Sequence, residues 1–482
     1  LIDWSNIAKL LGYFILGLAF SLLPAISFAF WNGDAGLGPL LWALVVPVTL
    51  GCILVGLLHL EPAELTRRDA ILLVVSSWVA ACLIGALPFY FSDYPFSFVD
   101  AVFESTSGFT TTGSTVLADI EALPESLLLW RSLIHWLGGM GIILLGIAIL
   151  PLLGTGGMQL YRAEFSGARS EKLKPRVAEV ALALWKIYAS LTLVLYILLR
   201  LLGMSRFDAA CHSFSTMATG GFSTRALSIE AFASPSIEYV IVVFMILASI
   251  NFTLHFRLFS QGDFWAVWKD TELRFSLGVV VAATAAVYIS LSGLEYTSAE
   301  SFRLALFQVV SIVTTTGYSS ADFETWPPLG QFTLLALMLI GGSTGSTAGG
   351  LKAARVLLLL RVVQREFRKM AERRGVFAVR LSGEAVDETT IQSLLNLVYL
   401  ALVVNVVACI ALTATGVDIL TSITAVTASM FNVGPAFGQV GPTEHFGHLP
   451  VLAKWVLSLC MLAGRLEFFT FFVIFAPLFW RK

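Results

Sequence analysis

Charge is scarce in this sequence. Asp, Glu, Lys and Arg make up 13% of the 482 residues, against 57% hydrophobic residues and a mean hydropathy of +0.83. A soluble chain of this length cannot hide so much apolar surface, so many segments must face lipid. The net charge is only −2, which excludes the basic face that nucleic acid requires. Cysteine is rare: Cys52, Cys82, Cys211, Cys409 and Cys460 stand singly in apolar runs with no CxxC spacing. They read as small core residues rather than disulfides or zinc ligands. His135, His212 and His255 are unclustered and no HExxH occurs, so each reads as a packed or hydrogen-bonded histidine. A cleavable leader is lacking too. The run Ile7 to Trp31 is too long for a signal-peptide core and has no convincing small-residue cleavage site, so a retained helix is expected there. The chain begins at Leu1 rather than Met, and a short segment is expected in front of it.

What is present in quantity is apolar helix. About 20 residues of helix cross a bilayer, and ten runs qualify, near 7–31, 38–60, 70–92, 126–152, 179–203, 237–260, 275–293, 328–360, 391–415 and 449–480. The eighth is overlong and is interrupted by "GGSTGSTAGG". Lys and Arg decide orientation. Five fall in 160–178, three in 257–274 and seven in 361–390; with Arg67, Arg68, Arg481 and Lys482 they make nineteen of the 30, all on one side if there are ten spans. The opposite loops carry mainly acids: Asp93, Asp119, Glu121, Glu230, Glu295, Asp322 and Glu324. An even span count with both termini cytoplasmic follows. The run Arg361 to Arg374, "RVVQREFRKMAERR", reads as a solvated cytoplasmic extension of the preceding helix. A sharper reading adds a docking surface for a soluble regulatory partner, since charged faces steer association.

Four shorter segments break the pattern. "FVDAVFESTSGFTTTGST", "FDAACHSFSTMATGGFST", "SFRLALFQVVSIVTTTGYSS" and "ILTSITAVTASMFNVGPAFG" each follow an odd-numbered span, from the third to the ninth. Each holds a helix of roughly ten to thirteen residues, too short to cross a bilayer, and ends in a glycine: Gly113, Gly221, Gly317 or Gly434. These glycines are 108, 96 and 117 residues apart. The pattern is a fourfold repeat of span, re-entrant half-helix, extended turn and span, and repeats govern the fold. Irregular backbone at membrane depth is tolerated only when buried in protein or lining a water-filled path. A short helix entering from outside points its partially negative C-terminus at the membrane centre, which favours a cation there. The residues after it have unpaired carbonyls, and four such strands about one axis would present rings of oxygen to a dehydrated ion. Glycine lets the carbonyls turn inward, while threonine hydroxyls add acceptors or tie the strands in place. The candidate ion ligands are Thr110, Thr111, Thr112 and Gly113; Ala218, Thr219, Gly220 and Gly221; Thr314, Thr315, Thr316 and Gly317; and Asn432, Val433 and Gly434.

With "TTTGS", "ATGGF", "TTTGY" and "NVGPA" at the four loops, "GGSTGSTAGG" in the eighth span and "GRLEFFT" in the last, the chain resembles the membrane subunit of the Trk/Ktr potassium transporter family. The resemblance covers nearly the whole chain, the first two spans being the extra pair of the Trk-type branch. It implies an all-α integral membrane fold like a potassium channel with its four subunits fused, in a bacterial inner membrane. It further implies K⁺ as the transported ion, a homodimer, and a cytosolic nucleotide-binding gating ring as partner. The corresponding divisions are an extra helix pair at 1–69 and pore repeats at 70–178, 179–274, 275–390 and 391–482. Only the glycine is common to all four loops, unlike the TVGYG of potassium channels. K⁺ and Rb⁺ are therefore expected to pass, with Na⁺ only partly excluded.

Two further features bear on control of the path. "GGSTGSTAGGLK" holds G-x-S-x-G and nearly a Walker A loop, with Leu351 where the lysine should be. Both motifs need a strand leading into a helix, which "FTLLALMLI" does not supply. The run is either close helix packing by small residues or a broken helix lying under the path. The family carries such an intramembrane loop, matched by Gly345, Ser346, Thr347, Ala348, Gly349 and Gly350, with Lys352 and Arg355 at its cytoplasmic end. Arg465 is an intramembrane charge, expensive and usually functional. It is either half of a structural salt bridge or, as the family motif implies, an electrostatic barrier below the filter; Glu467, two positions on, is a poor partner for it. Glu104 either orients the filter through backbone amides or packs behind it, and Asp208 opens the second half-helix. The rival mechanism is an alternating-access symporter coupled to Na⁺ or H⁺. Its embedded carboxylates and inverted repeats are not evident, and no enzyme activity is expected.

Overall fold

Helices dominate the computed structural model, which describes residues 2–57, 66–148, 173–372, 375, 377–381 and 384–481. The first apolar run forms α1 (Trp4–Ser21) and α2 (Leu23–Asn32), the break coming where Pro24 opens the second helix. It is followed by α3 (Leu37–Leu57). Helices α1 and α3 cross where each offers a glycine. A Cβ on Gly12 would lie 2.8 Å from Leu54 Cβ, and one on Gly51 would lie 2.7 Å from Leu16 Cγ. Small residues at such crossings are how helices approach closely in lipid, where hydrophobic burial adds little. The pair packs on α4 (Arg67–Tyr90), the first helix of the first repeat.

Four repeats then follow one plan. The first has α4, the short α5 (Phe98–Phe109) and α6 (Glu125–Ala148). The second has α7 (Leu173–Leu201), the short α8 (Arg206–Met217), α9 (Pro235–Ser249) and α10 (Phe252–Gln261), then a brief helix, α11 (Phe264–Lys269). The third has α12 (Thr271–Leu291), the short α13 (Ser298–Val313), α14 (Pro328–Leu337) and α15 (Ala353–Ala371), trailed by a two-stranded antiparallel ribbon, β1 (Arg380–Leu381) and β2 (Glu384–Ala385). The fourth has α16 (Glu388–Ala414), the short α17 (Ile419–Met430), α18 (Val451–Arg465) and α19 (Phe469–Phe472). The short helices are 12, 12, 16 and 12 residues long, so the third exceeds its expected length. Each begins at a residue whose side chain accepts from the N3 amide: Ser97, Ser205, Thr297 and Asp418. In the first three the N3 residue is itself acidic (Asp100, Asp208, Glu300), an arrangement that satisfies the free amides and suits the positive helix end.

Each short helix packs on the long helix before it, and three of the four links to the next repeat are also helical. Helix α6 lies on α8, α9 on α13, and α18 returns to α5. The chain therefore closes a circle of repeats. Its ends meet on one side: Trp4 stacks on Trp480 with centroids 6.2 Å apart, and Arg68 Nη1 donates to the Arg481 carbonyl at 2.6 Å.

Among the described residues, six of the expected spans are helices long and apolar enough to cross a membrane, with two more if bent pairs are counted as one span each. The bends correct the reading of 237–260 and 449–480 as continuous helices. Between α9 and α10 the axis turns by 96°, and between α18 and the segment Phe469–Phe475 by 114°. At the first bend Asn251 caps the new helix, its Oδ1 accepting from Thr253 N. At the second, Glu467 and Phe468 take positive φ (56° and 20°), which no right-handed helix accommodates. The run 328–360 is divided outright, with α14 and α15 separated by an irregular segment. Of the basic loops, 160–172, Arg373, Arg374 and Lys482 lie outside the described residues, as do the ends of the spans at 58–60 and 149–152.

Candidate functional site

All four glycine-ended segments end their short helices in the same way. Counting back from the glycine, the amide of the preceding residue bonds to the carbonyl five positions earlier. These bonds are Thr112 N to Ser107 O, Gly220 N to Ser215 O and Thr316 N to Ser311 O, each 2.9 Å, and Val433 N to Ala428 O, 2.8 Å. One position further back the amide reaches three positions: Thr111 N to Gly108 O, Thr219 N to Thr216 O, Thr315 N to Ile312 O (each 3.0 Å) and Asn432 N to Ser429 O (3.3 Å). This pair of bonds is the Schellman motif, whose turning residue is left-handed and is usually Gly or Asn. Here it is Thr111, Thr219, Thr315 and Asn432, with φ of 53°, 53°, 55° and 55°. A β-branched residue held there costs on the order of 1–3 kcal/mol. Three such threonines at one level of the molecule are outliers of the kind that cluster at functional sites.

The glycine two residues on is also left-handed, at φ 88° for Gly113, 81° for Gly221, 80° for Gly317 and 102° for Gly434. Hand therefore alternates along each strand, and this turns successive carbonyls toward the same side instead of opposite sides. Each glycine faces the carbonyl that precedes the next glycine in the circle. A Cβ on Gly113 would collide with Gly220 O, on Gly221 with Thr316 O, on Gly317 with Val433 O, and on Gly434 with Thr112 O. The ring thus closes on itself through four backbone contacts. A cavity of about 90 Å³ on its outer side is lined by all four glycines.

Side chains tie the strands down. Thr110 Oγ1 lies 2.8 Å from Thr112 Oγ1, and Thr314 Oγ1 lies 2.8 Å from Thr316 Oγ1. Asn432, replacing the threonine of the other repeats, donates from Nδ2 to Thr112 Oγ1 (2.9 Å) and Met461 O (3.1 Å). Behind each strand stands a polar brace from the short helix, with Ser311 Oγ adding a second bond to Tyr318 O in the third repeat. Glu104 accepts from Val116 N at 3.0 Å and from the Thr115 hydroxyl. His212 Nε2 lies 3.0 Å from Ser223 Oγ, and Gln308 Nε2 donates to Tyr318 O at 3.3 Å. In the fourth repeat Thr424 Oγ1 donates to Phe437 O at 2.8 Å. Glu104, His212 and Gln308 sit at one offset, nine residues before their glycines. Glu104 is fully buried against Arg131 (2.7 Å), whose Nη1 reaches Ser223 O in the next repeat at 3.1 Å. Glu104 bonds a backbone amide and is a satisfied polar group behind the strand. Asp208 accepts from Thr224 Oγ1 (2.6 Å) and pairs with Arg225 (3.3 Å).

Below the ring lies the segment dividing α14 from α15. Gly349 N donates to Thr315 Oγ1 at 2.6 Å, and Gly350 N to Phe431 O at 3.0 Å. Thr347 Oγ1 donates to Met217 O (3.2 Å) and lies 3.3 Å from Thr219 Oγ1. Three of the four strands are therefore touched by one loop. Where the third repeat lacks a helix to lay on α17, this loop fills the place. Ser346 is buried, its hydroxyl donating to Ser343 O, and Lys352 is buried too, folding back to donate to the Ala348 carbonyl. Lys352 directly precedes α15, at the end of the loop.

Arg465 meets the same loop. Its Nη1 donates to Thr347 O at 2.8 Å and its Nη2 to Gly138 O at 3.2 Å. The two features expected as separate control points are one assembly, and the carboxylate nearby is taken: Glu467 pairs with Arg355 at 2.8 Å. A small cavity of about 30 Å³ lies between the loop, Asn432 and Arg465.

The comparisons with known proteins agree on one family. A profile described as TrkH, cation transport protein, matches residues 50–482. The chain belongs to the TrkH family. It is 39% identical over 467 residues to the Trk system potassium uptake protein TrkH of Salmonella typhimurium LT2, covering 96% of each chain. To the protein of the same name from Escherichia coli K12 it is 42% identical over 429 residues, 88% of each. The crystal structure of the potassium transporter TrkH from Vibrio parahaemolyticus superposes with a TM-score of 0.92 at 36% identity, over the whole of both chains. The TrkH fold is therefore readable from the loops. Sequence reasoning misses Arg131, Gln308, Tyr318 and Thr424, although aligning the four glycines exposes the brace position.

Proposed function

We propose that this chain is the ion-conducting subunit of a bacterial potassium uptake system, and that K⁺ passes through the centre of the closed glycine ring. The observation that carries the proposal is the ring itself. Four backbone strands of alternating hand meet head to tail, and all four glycines line one cavity above it. Carbonyl oxygens arranged in this way replace the hydration shell of a monovalent cation. The ligands are those named from the sequence: Thr110 to Gly113, Ala218 to Gly221, Thr314 to Gly317 and Asn432 to Gly434. Asn432 commits its side-chain amide to Thr112 and Met461, so one strand lacks the threonine hydroxyl of the other three. That supports K⁺ and Rb⁺ passage with weaker exclusion of Na⁺.

Loop residues Gly345 to Gly350 obstruct the path from the cytoplasmic side, with Lys352 closing the segment and Arg465 adding a positive barrier. A guanidinium whose hydrogen-bond partners among the described residues are carbonyls has no carboxylate to offset its charge. The alternating-access reading has less support: of the buried acids among the described residues, Glu104, Asp208 and Glu238 are paired with Arg131, Arg225 and Arg303, Asp69 is bonded to Thr66 at the start of α4, and Glu272 is bonded to two backbone amides. The division into repeats at 70–178, 179–274, 275–390 and 391–482, after a helix pair at 1–69, is proposed with it. So are inner-membrane residence, cytoplasmic termini, a homodimer and a cytosolic nucleotide-binding ring as the regulatory partner.

Tracer flux into liposomes holding purified protein tests this directly, comparing K⁺, Rb⁺ and Na⁺ without an imposed gradient of any other ion. Gly317→Ser is expected to abolish flux, because its side chain would meet Val433 O and Pro435 Cδ. Arg465→Ala is expected to raise cation flux about tenfold, the effect of ~1.4 kcal/mol removed from a barrier, while Arg465→Lys leaves it low. Unchanged Rb⁺ entry in a folded Gly317→Ser protein rejects the ring as the route.

A further inference from the structure

Glu272 is a buried carboxylate in the first turn of α12, 8% exposed, and among the described residues it forms no ion pair. One of its oxygens does unusual duty. Oε1 accepts from Thr344 N at 2.8 Å, from Ala354 N at 3.0 Å and lies 3.3 Å from Thr344 Oγ1. Thr344 leads into the loop beneath the ring, and Ala354 leads out of it. A single atom on another helix therefore fastens both ends of the loop.

The exit end shows why a carboxylate is used. Helix α15 begins after Lys352, whose φ of 72° and ψ of 133° are those of no ordinary cap and whose side chain caps nothing. Its first amides face the positive end of a helix and need acceptors. Glu272 supplies one from outside the element, placing a negative group where the helix dipole favours it. The entry end has no helix at all, and Thr344 N would otherwise be an orphan donor at membrane depth, which is costly. The remaining bonds across the neck are backbone ones, Ala353 N to Gly342 O at 3.0 Å and Leu351 N to Leu339 O at 3.4 Å. They join the two sides of the loop to each other; the entry side is also bonded to the corner between α9 and α10, by Ser343 N to Ser249 O at 2.9 Å and Phe252 N to Gly345 O at 3.0 Å, whereas the Glu272 bonds are the ones that hold entry and exit to α12 together.

We propose that Glu272 is the positioning residue of the intramembrane loop: by holding Thr344 and Ala354 to α12 it sets the loop against the ring and stabilises the obstructed state. This rests on the reading of the loop as an obstruction. Glu272 touches neither the ring nor the ion, so its removal acts only through the loop's position.

The test is Rb⁺ tracer flux through the full-length protein in liposomes, measured without regulatory partner. Glu272→Ala is expected to raise flux about tenfold, the change that ~1.4 kcal/mol of lost closed-state stabilisation brings. Glu272→Gln keeps an oxygen able to accept from both amides and is expected to restore most of the obstruction. A misfolded protein loses flux, so a gain cannot come from general damage; thermal unfolding in detergent identifies any variant that has failed to fold. A second variant, with Ser346 to Gly349 deleted, separates the two claims. If the deletion raises flux and Glu272→Ala, folded, does not, the positioning role is overturned and the obstruction stands. If neither raises flux, the obstruction reading falls and this one with it. Equal gains from Glu272→Ala and Glu272→Gln would also overturn it, since the hydrogen bonds would then be irrelevant.

Discussion

At the level of the glycine ring the four repeats are nearly interchangeable; one helical turn below it each goes its own way. Every short helix ends in the same two hydrogen bonds, the same left-handed residue and the same glycine. Beneath, the first repeat continues as helix through Gly138 and Gly139, the second turns by 96° at Ile250, the third dissolves into the loop, and the fourth ends its helix at Arg465. The first and fourth repeats make the contrast sharpest. Gly138 presses on Phe109 O and Gly464 on Met430 O, each the carbonyl four residues before its strand's left-handed glycine. The next residue is Gly139 in one and Arg465 in the other. Coordination of a spherical ion rewards fourfold likeness, because each strand must present oxygen at the same radius. Obstruction needs only one arm, and a single chain can place it in one repeat without copying it into the rest.

If the ring is truly equivalent in its four parts, the most divergent strand must be as sensitive as the others. Gly434→Ala in the "NVGPA" strand puts a methyl group against Thr112 O and strains a backbone at φ 102°. Flux is expected to fall about 100-fold, as for the same change at Gly113, Gly221 or Gly317, since any collision displaces a ring carbonyl. Rb⁺ uptake per unit of reconstituted protein measures it. A Gly434→Ala protein that conducts normally would break the comparison, leaving a path made by three strands.

The braces behind the strands give a second, smaller effect. Glu104 and Gln308 occupy the same helix position, but only the former belongs to a buried ion pair. Arg131→Met leaves a carboxylate buried without its partner and is expected to cost about 3–5 kcal/mol. Gln308→Ala removes one neutral hydrogen bond to Tyr318 O and is expected to cost about 1–2 kcal/mol. Thermal unfolding in a single detergent ranks the two. Equal losses would mean that the braces are equivalent and that the charge at the first repeat adds nothing.

The parts of this arrangement legible without coordinates are those that depend on unusual residue types. The glycines and threonines interrupting apolar helix announce the ring, because few other residues have reason to stand there, and apolar length announces the spans. The bends do not announce themselves. "ASINFT" and "GRLEFF" stay apolar enough to read as continuing helix, and tertiary contacts hold the breaks: Phe252 N bonded to Gly345 O at 3.0 Å beside the Asn251 cap, and Gly464 pressed on Met430 O. The meeting of Arg465 with Thr347 is likewise hidden, since 118 residues separate them. Glu272 is invisible for a different reason. A glutamate after a basic segment looks like a helix-start residue, and nothing local says that its oxygen serves another helix.

The seams between repeats extend the contrast to the outer surface. The first and second repeats are joined by the buried pair Glu104–Arg131 reaching Ser223 O, the third and fourth by Glu324, whose Oε1 accepts from Gly438 N at 2.6 Å. Glu324 lies in an outer loop beyond the spans, half-buried, and desolvation pushes its carboxyl above the usual 4.5, with Glu444 and Asp322 adding to the rise and the Gly438 amide opposing it. A carboxyl whose folded value is raised binds its proton more tightly when folded. Its contribution is therefore fully present below the unfolded value and is lost as pH climbs through the raised one. Because so much of the group meets solvent, the loss is below about 1 kcal/mol. Glu324→Gln is expected to flatten the fall in melting temperature between mildly acidic and neutral pH, leaving the acidic end unchanged. An identical pH profile for the wild-type and Glu324→Gln proteins would assign the third-to-fourth seam to backbone contacts alone.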